Sequence, residues 1–194
     1  FEGVEGSGKS TQMTRLCAAL EGAGRTVCRT RQPGGCALGQ TLRAILLSQK
    51  TAGLDDRAEL FLYLADRAQH VAEVIRPALA AGAVVVCDRY ADSTVAYPGR
   101  GRGLDVALLQ HLNAVATAGL VPDLTLLLDL DPAVGLTRAT SRNAAAGTAE
   151  AEGRFEAERL EFHQRVRAGY RALAAGEPTR FAVVVAAPAP DAVA

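Results

Sequence analysis

The sequence predicts an α/β fold: a parallel five-stranded sheet flanked by helices on both faces, in one domain spanning residues 1–194. Three observations predict it. Short β-branched or leucine-rich runs alternate with longer segments of helical period. Two of the runs, Ala83-Val84-Val85-Val86-Cys87 and Leu124-Thr125-Leu126-Leu127-Leu128, are apolar almost throughout, as strands covered on both faces must be. Four of the helical segments end at a glycine able to take the left-handed conformation that closes a helix.

In chain order, Phe1 to Gly3 is expected to be a first strand, cut short at its start, followed by a helix from Ser10 to Glu21 that stops at Gly22. A second strand runs from Arg25 to Thr30. A long helix from Asp55 to Ala81 opens on a capping aspartate and stops at Gly82. The apolar run Ala83 to Cys87 is the third strand, and Asp105 caps a helix through Ala118 that stops at Gly119. The fourth strand is Asp123 to Asp129, after which Pro132 opens a helix through Arg138 to about Arg142. From Asn143 to Gly153 periodicity is lost and small residues collect, which predicts a mobile loop. A last helix, Arg154 to Ala175, buries a stripe of Phe162, Val166, Tyr170 and Leu173 and stops at Gly176. The fifth strand is Arg180 to Ala186, and the residues after it are expected to add no closing element.

Composition narrows the function. At 49% hydrophobic and 22% charged residues, the chain buries a core and is not disordered. Its 21 basic and 21 acidic side chains cancel, which argues against nucleic acid or an anionic membrane as partner. No run is apolar for the roughly 18 residues a membrane span requires. Four cysteines without C-x-x-C spacing read as free thiols in a reducing, cytoplasmic setting. His70, His111 and His163 show no ligand-like spacing, so no structural zinc is expected.

The motif that carries chemistry is Gly3-Val4-Glu5-Gly6-Ser7-Gly8-Lys9-Ser10, which satisfies G-x-x-x-x-G-K-[ST] between a strand and a helix. Its glycines let backbone N–H groups wrap phosphate oxygens at the positive end of the following helix. Lys9 adds a point charge, and Ser10 offers a hydroxyl to Mg²⁺. Lysine occurs only at Lys9 and Lys50, which sets Lys9 apart from background. The chain is therefore expected to bind a nucleoside triphosphate such as ATP with Mg²⁺ through Gly3 to Thr11. No N-K-x-D element is present to read guanine. Asp88, at the end of the third strand, is placed to order a metal-bound water. Arg31, Arg67, Arg89, Arg100 and Arg102 fall at the expected carboxyl edge of the sheet, more cation than one triphosphate needs. A second, phosphorylated substrate accounts for them.

Five segments together resemble the bacterial thymidylate kinases, nucleoside-monophosphate kinases of the P-loop NTPase type: the loop through Thr11, Thr30-Arg31-Gln32-Pro33-Gly34-Gly35, Ala65-Asp66-Arg67-Ala68-Gln69-His70, Asp88-Arg89-Tyr90-Ala91-Asp92-Ser93, and Ala96-Tyr97-Pro98-Gly99-Arg100-Gly101-Arg102-Gly103. The resemblance implies transfer of the ATP γ-phosphoryl group to dTMP, giving dTDP for dTTP synthesis, in a homodimer. It implies that Tyr63 stacks on the thymine, Arg67 binds a base carbonyl, Thr94 approaches the base edge and Tyr97 crowds the sugar. Arg89 would hold the acceptor phosphate, with Arg31 nearby, and Glu5 would sit near the sugar hydroxyl or magnesium. Residues 142–154 resemble the family's lid, with Arg142 and Arg154 as suppliers of transition-state charge and Arg138 as a weaker candidate. Gln32 and Pro98 depart from the family's usual glutamate and glutamine. A kinase for another monophosphate, or a nucleotide-binding protein that has lost transfer, are the alternatives.

Overall fold

The computed structural model describes residues 1–193. Among them are four strands, all in parallel pairs: β1 (Val27–Arg31) with β2 (Val84–Asp88), and β3 (Thr125–Asp129) with β4 (Phe181–Val185). The expectation of five strands is corrected here. Phe1 to Gly3 contributes a single parallel bridge, Glu2 to Leu127, because the backbone leaves the extended conformation at Gly3 (φ 139°). Two residues remain to pair, and they reach both strand pairs. Leu126 O accepts from Glu2 N–H and Leu128 N–H donates to Glu2 O, while the Phe1 amino group donates to Cys87 O and Arg89 N–H to Phe1 O. The β1–β2 register runs from Val27 opposite Val84 to Arg31 opposite Asp88. Arg31 and Asp88 therefore share the carboxyl edge, where open α/β sheets bind ligands.

The helices are α1 (Lys9–Gly22), α2 (Ala37–Leu47), α3 (Asp56–His70), α4 (Arg76–Ala80), α5 (Ala91–Thr94), α6 (Val106–Thr117), α7 (Pro132–Ala146), α8 (Ala149–Glu152), α9 (Leu160–Gly176) and α10 (Pro190–Val193). A wide, π-helical turn at Val71–Ile75 joins α3 to α4, so the long helix expected from Asp55 to Ala81 is continuous in course. Asp55, Asp105 and Asp131 each cap the next helix through a side-chain oxygen. Among the described residues no helix is long and apolar enough to cross a membrane.

Three further expectations are corrected. Asn143 to Gly153 is not a loop: the alanines extend α7 to Ala146, Gly147 ends it at φ 66°, and α8 follows. Alanine favours helix without periodicity, which is why a periodicity reading missed it. The glycine-rich stretch around Pro98 is a second π-helical turn, Val95–Gly101, running on from α5. The last long helix begins at Leu160 rather than Arg154, since residues 154 and 155 turn inward and are buried. A short closing helix, α10, follows β4. The stripe on α9 is as expected: Phe162, Val166 and Tyr170 are buried, and Leu173 packs beside them in a core with Val4, Leu127 and Phe181.

Candidate active site

The site is built on the loop between Gly3 and α1. Gly8, at φ 91°, caps α1 without a side chain, so the first turn of the helix is open toward an anion. Lys9 is buried, and its Nζ donates to Gly3 O and Val4 O at 2.9 Å and to Ser7 Oγ at 3.4 Å. Burial and the neighbouring Arg89 lower its pKa to about 8 against the pull of Asp88, Glu5 and Glu2. Helix α7 lies against this loop backbone to backbone. A Cβ on Gly6 would fall 2.1 Å from Gly135 O, and one on Gly135 would fall 2.3 Å from Glu5 O. No sequence motif singled out Gly135.

A cleft of about 510 Å³ opens from the loop. It brings together Glu5 to Thr11, Arg31, Tyr63, Arg67, Asp88, Arg89, Thr94, Tyr97, Arg138 and Arg142. Gly3 and Val4 lie behind the loop, with Val4 in the core. Three expected arginines are elsewhere. Arg102 pairs with Asp56, Glu59 and Glu158 at 3.2, 3.3 and 2.9 Å, and Arg100 packs on Gly169. Arg154 is buried against Glu59 at 2.5 Å and also donates to Leu46 O. Its guanidinium is anchored on Glu59 and the Leu46 carbonyl rather than turned into the cleft. Arg43, which the sequence reading missed, lines the cleft and pairs with Glu152 of α8 at 3.1 Å.

Arg89 is a non-glycine residue at φ 65°, strain of the kind that clusters at functional sites. Its guanidinium donates to Glu5 Oε1 at 3.0 Å and Tyr170 OH at 3.2 Å, and stacks 4.8 Å from the Tyr97 ring centroid. Burial works against its charge, but Tyr97, Tyr170, Glu5 and Glu2 together hold its pKa above the ordinary value. Glu5 also accepts from Tyr97 OH at 2.5 Å. Burial pushes the Glu5 carboxyl up, yet His163, Arg89 and Lys9 outweigh it and keep it far below the usual carboxylate range.

The departure at residue 32 is absorbed by its neighbours. Arg67, 1% exposed, donates to Gln32 Oε1 (2.9 Å), Thr94 Oγ1 and Asn113 Oδ1 (both 2.7 Å) and Tyr90 O (3.0 Å). Gln32 Nε2 in turn lies 2.9 Å from His70 Nδ1, whose other ring nitrogen lies 2.6 Å from Thr30 Oγ1. Burial and then Arg67 lower the His70 pKa to about 4. A neutral His70 ring can accept from the Gln32 amide, which leaves the amide oxygen for Arg67.

The donor set fits a magnesium ion. Asp88 Oδ1 is buried without a hydrogen-bond partner, a costly arrangement unless something binds it. Ser10 lies in the same cleft. Glu5 is already held by three donors, so it is not a free ligand. No group of three or more His, Cys, Asp or Glu side chains that could hold a metal ion occurs among the described residues; magnesium commonly takes one or two carboxylates and completes its shell with phosphates and water.

The loop around Lys9, the buried Arg67 and the half-buried Arg89 thus share one cleft, and the family model of thymidylate kinase matches residues 1–194. The chain belongs to the thymidylate kinase family. It is 91% identical over 194 residues to a thymidylate kinase of Solidesulfovibrio magneticus, covering 100% of this chain and 93% of that one. It is 61% identical over 191 residues to a thymidylate kinase of Desulfovibrio desulfuricans, covering 98% and 88%. The crystal structure of a thymidylate kinase from Ehrlichia chaffeensis superposes with a TM-score of 0.76 at 34% identity, over 95% of this chain and 84% of that one. As a member of the thymidylate kinase family, the protein is an enzyme of the phosphotransferase class.

Proposed function

We propose that the protein phosphorylates dTMP to dTDP, taking the γ-phosphoryl group from ATP by direct in-line transfer. The observation that carries this reading is the shared cleft: the Lys9 loop, Arg67 and Arg89 all line it. The triphosphate lies on the amides of residues 5–11, with Lys9 turning from its own loop carbonyls to the phosphates. Arg89 leaves part of its contact with Glu5 to hold the acceptor phosphate. Tyr63 and Arg67 lie four residues apart on α3, one face of one helix, and serve as base platform and base-edge donor, with Thr94 behind Arg67. Tyr97, fixed by Glu5, restricts the sugar, and Arg31 borders the acceptor end of the cleft.

No general base is required, because a nucleoside monophosphate is already ionised at neutral pH. Positioning and charge neutralisation supply the rate. Arg142, 61% exposed, is poised for transition-state charge from the end of α7, with Arg138 one turn earlier. Ser10 and Asp88 would hold Mg²⁺, which when bound neutralises phosphate charge.

The protein is proposed to act as a homodimer. Neighbouring helices α2, α3 and α6 expose Leu38, Ile45, Phe61, Leu108 and Val115, an apolar face that a second copy would cover. The four free cysteines support the reducing cytoplasm. Coupled ADP release with dTMP, dUMP, AMP, CMP and GMP tests the assignment. The reading expects dTMP to be preferred, and preference for a purine monophosphate would reject the stacking pocket.

A further inference from the structure

His163 lies on α9, outside every motif, and is 0% exposed. Its Nδ1 is 3.1 Å from Glu5 Oε2, and its Nε2 is 3.0 Å from the Phe155 carbonyl oxygen. Both partners are acceptors, so the ring can bond to either one only as a donor. The other Glu5 oxygen accepts from Tyr97 OH and Arg89. A carboxylate held by three donors on two oxygens has one orientation, and His163 is the donor that fixes the side away from Arg89. The histidine is itself anchored. Phe155 sits at the root of the lid, buried, with its ring edge-on to Tyr97 at 5.4 Å. The preceding residue is tied down through Arg154 N–H to Leu47 O at 3.2 Å and by the Arg154–Glu59 ion pair.

We propose that His163 is a positioning residue for phosphoryl transfer: braced on the Phe155 carbonyl at the lid root, it fixes the Glu5 carboxylate that orients Arg89. This rests on the reading of Arg89 as holder of the acceptor phosphate. Nothing in the P-loop motif specifies the histidine, yet without it one oxygen of a buried carboxylate has no donor and the Arg89 counter-charge can rotate.

The test uses two substitutions that each keep one arm of the ring. Asparagine carries its amide nitrogen near the place of Nδ1 and can still donate to Glu5; glutamine reaches nearer the place of Nε2 and keeps the Phe155 bond. His163→Gln is expected to lower kcat/KM for dTMP about tenfold or more while KM for ATP stays within about twofold. His163→Asn should stay within about threefold of wild type. A merely structural histidine would make both variants lose activity in step with their melting temperatures. Equal losses in the two, or wild-type kinetics in His163→Gln, overturn the proposal. Hydrogen–deuterium exchange without nucleotides separates this claim from the function itself. Amides of residues 5–10 should exchange faster in His163→Gln than in His163→Asn, even if the wild type were to turn over no dTMP. Identical exchange in both variants overturns it.

Discussion

Substitution of Gly135 by alanine separates stability from catalysis in this fold. In an ordinary helix interior the change is favourable by about 1 kcal/mol, because alanine loses less backbone freedom. Here the added Cβ would lie 2.3 Å from Glu5 O, where ordinary contact begins at 3.4 Å. Helix α7 must therefore back away from the loop by about 1 Å, at an overpacking cost of about 1–3 kcal/mol. The net change in unfolding free energy is expected to be a loss of at most about 2 kcal/mol. Catalysis should suffer more. The same helix carries Arg138 and Arg142 to the cleft, and the same contact shapes the loop at Glu5 and Gly6. A displacement of that size is worth about 100-fold in rate. Chemical denaturation and steady-state kinetics on one preparation check both halves. A Gly135→Ala enzyme with wild-type kcat and wild-type KM for ATP would refute the argument that this contact sets the site.

Other outcomes follow from the same geometry. Lys9, with its pKa near 8, is charged below that pH and neutral above it. Free enzyme should therefore bind ATP about tenfold more weakly at pH 9 than at pH 7 by calorimetry, and Lys9→Arg should remove the slope. Arg142→Ala should lower kcat at least about tenfold with little loss of stability. Arg154→Ala should instead cost about 3 kcal/mol in urea unfolding, because it removes a partner from the buried Glu59. His70 has a folded pKa near 4 against an ordinary 6.5, so the unfolded chain takes up the proton first as pH falls. Stability should drop between those values by up to about 1.4 kcal/mol per pH unit, and His70→Gln should flatten that part of the profile.

Much of this was legible in the sequence for identifiable reasons. The strands at Val84 and Thr125 are continuous apolar runs, and the caps at Asp55, Asp105 and Asp131 announce helix starts that the backbone then makes. The loop residues and Asp88 fall where strand–loop–helix order puts them. What was hidden is tertiary. α2 starts from the Sγ of Cys36 accepting Gly39 N–H, a cap weaker than the oxygen caps that mark other helix starts, and it ends without a glycine. Arg102 and Arg154 look like phosphate binders until Glu59, remote in sequence, is seen to take both. His163 becomes informative only because α9 folds back over the loop to place it beside Glu5, 158 residues away in the chain. Local spacing carries no trace of contacts made at such separation.

For the proposed transfer, two nucleotides must meet end to end in one cleft. The most direct measurement is binding of a single inhibitor that joins adenosine to thymidine through a five-phosphate bridge. One molecule is expected to bind per chain, competitive with both ATP and dTMP. Two bound molecules per chain, or competition against only one of the substrates, would contradict it.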